Sequence, residues 1–193
     1  EYILIFISAV FVNNIVLAQF LGICPYLGVS SRVSTSVGMS GAVMFVMTLA
    51  TIVTFLIYHY VLVPFQITYL QTISYILVIA SLVQMVEIVL KKVSPPLYQA
   101  LGIFLPLIVT NCAILGVTIM AVREDYGFHL LEGIVFAISN AIGFGLTLIL
   151  FAGIREHLDL MEVPKGMRGA PAALVVAGIL ALAFMGFAGL VQL

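Results

Sequence analysis

Cys24-Pro25-Tyr26-Leu27-Gly28-Val29-Ser30 and Cys112-Ala113-Ile114-Leu115-Gly116-Val117-Thr118 are near-copies of one heptapeptide, one in each half of the chain. Cysteine, leucine, glycine and valine coincide, and the last position keeps a small hydroxyl side chain. These are the only two cysteines in 193 residues. Falling at the same point of a repeated motif, they point to a shared task at a single metal or redox site.

The sequence around them belongs in a membrane. Hydrophobic residues make up 64% of the chain, charged residues only 8%, and the mean hydropathy is +1.30. A soluble domain is roughly half apolar and about a quarter charged. The charges cluster, leaving uncharged runs at 2–31, 33–86, 93–122, 133–154 and 169–193. A bilayer crossing takes about 20 mostly apolar residues. Run 33–86 holds two crossings, with a break between His59 and Tyr69 around Pro64. Six transmembrane helices are predicted, at 2–23, 38–60, 70–90, 99–121, 131–153 and 171–192. The first run has no basic flank and is too long for a cleavable signal, so it is expected to be a crossing. A net charge of −1 gives no footing for nucleic acid.

Cytoplasmic loops are enriched in Lys and Arg. The loops after the first, third and fifth helices carry Arg32, Lys91, Lys92, Arg155, Lys165 and Arg168, while the other side carries only Arg123, flanked by Glu124 and Asp125. Both termini are therefore expected outside, on the periplasmic face. Three helices per half is an odd number, so the second half enters from the opposite side. The expected fold is an all-α membrane protein. It is one transmembrane domain over 1–193, built from two inverted three-helix repeats, 1–95 and 96–193. Transporters use this design, with sites near the midplane on discontinuous helices.

Inverted repeats place equivalent residues at opposite depths, so two equivalent cysteines meet only near the midplane. Cys112 is central in its run. Cys24 is late in a run longer than one straight helix needs at about 1.5 Å per residue, which suits a break inside the membrane. Gly22, Pro25 and Gly28 surround Cys24, and Pro106 and Gly116 flank Cys112. Broken first and fourth helices are expected. Their irregular backbone is tolerated at that depth only against protein or a cavity, so these segments are expected to face protein. Asn13, Asn14, Asn111 and Asn140 lie in apolar runs, where amides often join helices. The sharper expectation is that Asn14, Thr110 and Asn111 satisfy backbone groups freed by the breaks and so position the thiols. Glu87 and Lys91 are spaced for an i,i+4 pair. Arg155 to Arg168 reads as a solvated loop. His59, His129 and His157 are too scattered for a histidine metal site, and Tyr58, Tyr60, Tyr69 and Tyr98 read as interfacial anchors.

Three fates remain open for the thiols: small packed hydrophobes, a disulfide, or metal ligation. An iron–sulfur cluster takes four thiolates. Two would have to come from a partner protein or another copy.

Asn13-Asn14-Ile15-Val16-Leu17, Phe20-Leu21-Gly22-Ile23-Cys24-Pro25, Leu101-Gly102-Ile103-Phe104-Leu105-Pro106-Leu107-Ile108, Thr110-Asn111-Cys112-Ala113 and Ala183-Phe184-Met185-Gly186-Phe187-Ala188-Gly189-Leu190 resemble the A-subunit family of the Rnf complex, an ion-translocating ferredoxin:NAD oxidoreductase. The sister family is the E subunit of the sodium-translocating NADH:quinone oxidoreductase, which remains the alternative, beside a transporter or a scaffold without redox role. The resemblance covers essentially the whole chain. It implies that Cys24 and Cys112 ligate half of one [2Fe–2S] cluster, completed by a homologous six-helix E subunit of opposite topology. It implies further Rnf subunits that bind flavin, NAD and ferredoxin, with neither flavin nor NAD held by this chain. It also implies electron relay across a bacterial inner membrane, coupled to Na⁺ or H⁺.

Overall fold

The computed structural model describes residues 2–93, 95–102, 105–123, 129–162 and 164–187. Arg123 is among them. Its neighbours Glu124 and Asp125, the Ile103-Phe104 pair and the end of the sixth predicted helix lie outside the described residues. Every regular element among the described residues is helical.

Helix α1 (Tyr2–Ile7) widens into a π turn (Ser8–Val12) and stops. An irregular stretch over 13–22 leads to α2 (Ile23–Val29). The first predicted helix, 2–23, is therefore two pieces. Pro25 does not mark the break. It sits in the first turn of α2, where its missing N–H would have no intrahelical acceptor anyway. The break lies just ahead, where Gly22 takes a left-handed φ of 79°.

Helix α3 (Val33–Ile57) continues through a π turn (Tyr58–Leu62) into α4 (Val63–Phe65). The stop falls inside the predicted break between His59 and Tyr69, but the helix first runs past its predicted end at 60 and through Pro64. The wide turn before it spaces the carbonyls that a proline would otherwise crowd. The stop comes at Gln66, in the left-handed region at φ 54°. The Gln66 N–H donates to the Val63 carbonyl at 3.3 Å and the Ile67 N–H to that of Leu62 at 3.2 Å. That is a Schellman closure without glycine. A short 3-10 turn (Thr68–Leu70) then starts α5 (Gln71–Val93).

The second half opens with three short helices in place of the predicted 99–121: α6 (Pro95–Leu101), α7 (Leu105–Val109) and α8 (Cys112–Met120). Helix α9 (Leu130–Asp159) follows, then α10 (Ala170–Met185). Helix α9 overruns its prediction of 131–153, so Arg155 to Asp159 are helix and not loop. Among the described residues three stretches are long and apolar enough to cross a membrane: Val33–Phe65, Thr68–Val93 and Leu130–Asp159. Tyr2–Val12, Leu105–Met120 and Ala170–Met185 are shorter apolar helices.

The core is the seam between α3 and α9. Ser36, Ser40, Val43, Met47, Ala50 and Thr54 are buried along α3, and Ala137, Ala141, Phe144, Leu148 and Phe151 along α9. Both sets alternate steps of four and three, the spacing of knobs-into-holes packing. Small residues bring the backbones close: a methyl group added at Gly145 would lie 3.1 Å from Ser40 Cβ. Close approach drives association where lipid offers no hydrophobic gain. Hydroxyls buried along α3 are satisfied by carbonyls of their own helix. Ser40, Thr51 and Thr54 donate to the carbonyls of Ser36, Met47 and Ala50 at 2.7, 2.8 and 2.6 Å.

Glu87 and Lys91 do not simply pair on α5. The Tyr98 hydroxyl donates to Glu87 Oε1 at 3.4 Å, and Lys91 Nζ lies 5.8 Å from the centre of the Tyr98 ring. Tyr98 thus mediates between the two charges.

Candidate metal centre

Each cysteine stands in the first turn of a short helix that starts after a break. Cys24 follows the break at 13–22 and opens α2; Cys112 follows Thr110-Asn111 and opens α8. The first N–H groups of a helix lack intrahelical acceptors and carry its positive end.

The two motifs touch. The Gly22 N–H donates to Cys112 Sγ at 2.9 Å, across 90 residues of sequence. A methyl group at Gly22 would lie 3.1 Å from both Ala113 Cβ and Asn111 Oδ1, and 2.9 Å from Phe144 Cε2. The interlock is reciprocal. The glycine four residues after each cysteine faces a leucine that precedes the other cysteine. A methyl at Gly116 would sit 2.6 Å from Leu21 Cδ1, and one at Gly28 would sit 3.4 Å from Leu107 Cδ1.

Both cysteines are free, and both thiols lie exposed on the chain's own surface. Within this chain the expectation that the cysteine segments face protein is met by the residues beside the thiols. Gly22, Pro25, Tyr26, Asn111 and Ala113 are held against the core, but this chain does not cover the sulfurs. Among the described residues no three His, Cys, Asp or Glu side chains gather closely enough to hold a metal ion. The chain contributes two thiols, and a cluster with four thiolate ligands would draw the other two from a partner.

Asn14 holds the first break. It is fully buried; its Nδ2 donates to the carbonyls of Val10 at 2.9 Å and Gly143 at 3.1 Å. Its Oδ1 accepts from the N–H groups of Val16 at 3.1 Å and Leu17 at 3.4 Å. Asn111 caps α8, its Oδ1 accepting from the Ala113 N–H at 3.0 Å, while its buried Nδ2 has no partner among the described residues. Thr110 acts on α7 instead of the thiol: its hydroxyl donates to the Pro106 carbonyl at 2.9 Å. Asn13 is exposed, and Asn140 Nδ2 turns back to the Phe136 carbonyl of its own helix at 2.9 Å.

Two supports escape the sequence reading. Arg155, on the last turns of α9, donates through one guanidinium nitrogen to the Leu27 carbonyl at 2.8 Å and to Ser30 Oγ at 2.7 Å. It clamps the C-terminal end of the Cys24 helix. Tyr26 stacks on Phe151 with ring centres 4.3 Å apart, and the Arg155 guanidinium lies 5.8 Å from the same Phe151 ring. Gly143 is the second support. A methyl there would meet the Ala9 carbonyl and Val10 Cα at 3.2 Å and Asn14 Nδ2 at 3.1 Å. The available signal is the run Gly143-Phe144-Gly145, since small residues in a membrane helix mark close packing.

The family model described as "Rnf-Nqr subunit, membrane protein" matches residues 2–191. A protein of Syntrophotalea carbinolica, named as the A subunit of an "Ion-translocating oxidoreductase complex", is 57% identical, covering 98% of this chain and 97% of its own length. One of the same name from Pseudoalteromonas translucida is 53% identical over 100% of this chain and 98% of its own. The A subunit of the "Na(+)-translocating ferredoxin:NAD(+) oxidoreductase complex" of Acetobacterium woodii is 54% identical over 97% of each. With helical breaks, paired cysteine motifs and matches over nearly its full length, the chain belongs to the Rnf-Nqr family of membrane-protein subunits.

Proposed function

We propose that this chain is the A subunit of an Rnf-type ion-translocating ferredoxin:NAD oxidoreductase, and that Cys24 and Cys112 supply half the ligands of a [2Fe–2S] cluster shared with a partner protein. The observation that carries the reading is the meeting of two free thiols' segments at paired helix starts, with an N–H from one motif on the sulfur of the other. The names of the relatives favour the A subunit of such complexes over the NADH:quinone counterpart.

The donor set fits a cluster. Two thiols, unpaired and open at the surface, match half of a four-thiolate site, and the helix starts behind them offset negative charge. When bound, the cluster would supply a one-electron carrier inside the bilayer. The chain's own part would be to hold the two cysteine segments against each other and to direct the Gly22 N–H at Cys112 Sγ. Such hydrogen bonds and burial set a cluster's potential.

The repeated cysteine heptapeptides, each at the start of a short helix after a break, support a pseudo-two-fold relation between the halves. We read the chain as six spans in two inverted repeats with both termini outside, in a bacterial inner membrane. The partner in this reading is the homologous E subunit, inserted in the opposite sense, and the coupled ion is Na⁺ or H⁺. The test is Cys24→Ser and Cys112→Ser, each in the assembled complex. Loss of a membrane-embedded [2Fe–2S] signal and of ion-coupled electron transfer is expected. Their persistence in either variant would end the proposal.

A further inference from the structure

We propose that Gly22 is a positioning residue for the Cys112 ligand, and that its N–H on Sγ makes the two cysteines of this chain electronically unequal. The inference rests on the cluster reading above and deepens it.

Three features of the structure carry it. The bond is long-range in sequence: the N–H comes from the first half's break and meets the sulfur of the second half's motif at 2.9 Å. Its geometry is specific to glycine. Gly22 has φ 79°, a region that L side chains rarely adopt, and an added methyl would press on Phe144 Cε2 at 2.9 Å. Any other residue there would have to move the N–H away from the sulfur. Finally, the ground around the contact is fixed at a cost. Asn111 is 3% exposed, and its Nδ2 is buried without a partner among the described residues while its Oδ1 caps the Ala113 N–H. A buried donor left unpaired needs a reason. Here the amide is held beside Gly22 by the demand for one backbone geometry ahead of Cys112.

No equivalent bond reaches the Cys24 sulfur among the described residues. A hydrogen bond to a ligating sulfur withdraws electron density from it and favours the reduced centre. Cys112 is thus the anchored, less electron-rich ligand of the two.

The experiment uses the purified whole complex from cells fed ¹⁵N-glycine with unlabelled serine. Pulsed electron paramagnetic resonance of the dithionite-reduced complex reads nitrogen couplings to the cluster. We expect a glycine-derived ¹⁵N coupling in the unmodified complex. It should vanish in Gly22→Ala, which removes the labelled nitrogen whatever the fold does. The reduction potential of that variant should fall. Gly22→Ala combined with Phe144→Leu makes room for the methyl and provides a second preparation if the single variant fails to load. An intact cluster signal with no glycine coupling overturns the proposal while leaving the cluster reading standing. So does a coupling that survives in either variant, or an unchanged potential in a variant that has lost the coupling. Absence of any [2Fe–2S] signal from the unmodified complex overturns both.

Discussion

Asn13 and Asn14 are chemically identical neighbours, and the structure gives them opposite weights. Asn14 is fully buried and makes four hydrogen bonds at the first break. Asn13 is exposed. In Asn14→Ala the Gly143 carbonyl keeps a second donor, Thr147 Oγ1 at 3.1 Å, so it is not orphaned. The Val16 and Leu17 N–H groups lose the acceptor that Oδ1 provides. An unsatisfied buried group costs about 1–3 kcal/mol. Measured side-chain hydrogen bonds inside membranes average only about 0.6 kcal/mol, because the unfolded chain also finds partners. The buried Val10 carbonyl also loses its Nδ2 donor, and all three orphans are on backbone beside a fully packed core, so the loss should sit above the membrane average. A destabilisation of about 2–3 kcal/mol is expected, against about 0–0.5 kcal/mol for Asn13→Ala, the usual range for surface changes. SDS titration of the detergent-solubilised chain, followed by circular dichroism, measures both. Equal midpoints for the two variants would refute the assignment of Asn14 as the residue that satisfies the break.

The interlock of the motifs predicts a coupling. Gly116→Ala places a methyl 2.6 Å from Leu21 Cδ1, and Leu21→Ala removes the obstacle, so a double-mutant cycle should show about 1 kcal/mol or more of mutual relief; additive effects would argue against the contact. Arg155→Ala should speed amide exchange across Leu27 to Ser30 and cost about 1–2 kcal/mol, since a charged donor is lost from two acceptors at a partly exposed site. Arg155→Lys should recover little, because a lysine lacks the planar fork. On one helix, Gly143→Ala should destabilise by about 1–3 kcal/mol through overpacking. Gly153→Ala, which meets nothing within 4 Å, should be neutral or stabilising by up to about 1 kcal/mol in the isolated chain. Matching thermal shifts for the two would contradict the packing of the Ser8–Val12 π turn on α9.

The breaks and the thiols are legible in the sequence because they leave local marks. A cysteine motif repeated with its glycine and leucine, an asparagine pair in an apolar run and a run too long for one helix are all visible in one dimension. Helix ends are less legible. Hydropathy reports where the chain leaves lipid, not where hydrogen bonding stops, so it ends α9 before Arg155 although the helix runs to Asp159. What holds that last turn is remote: the acceptors for Arg155 lie 128 and 125 residues earlier. Pro25 and Pro64 mislead in a similar way. Proline breaks a helix where its missing N–H was needed or its ring meets the carbonyl four residues back. The first turn of α2 and the widened turn before α4 are places where neither holds. The Glu87–Lys91 spacing suits a pair, but Tyr98 from the next helix takes the carboxylate, a tertiary contact no i,i+4 rule contains.

The breaks also answer why a redox ligand pair at this depth would need discontinuous helices at all. In an uninterrupted helix every interior N–H is spent on the carbonyl four residues back. A thiolate on such a helix would face hydrocarbon with no donor to offset its charge, at a desolvation cost of several kcal/mol or more. Stopping the chain at Val12 and again at Val109 frees donors and lets the start of α2 meet the start of α8, Gly22 against Cys112 and Ala113. Those freed donors are then divided. Asn14 and Asn111 take the ones that point into the core, and Gly22 passes one to sulfur. A serine or alanine in place of Gly22 would keep the cysteines, yet shift the N–H that crosses from the first half's break to the second half's thiol. The chemistry proposed here therefore depends as much on that glycine's backbone angle as on the thiols themselves.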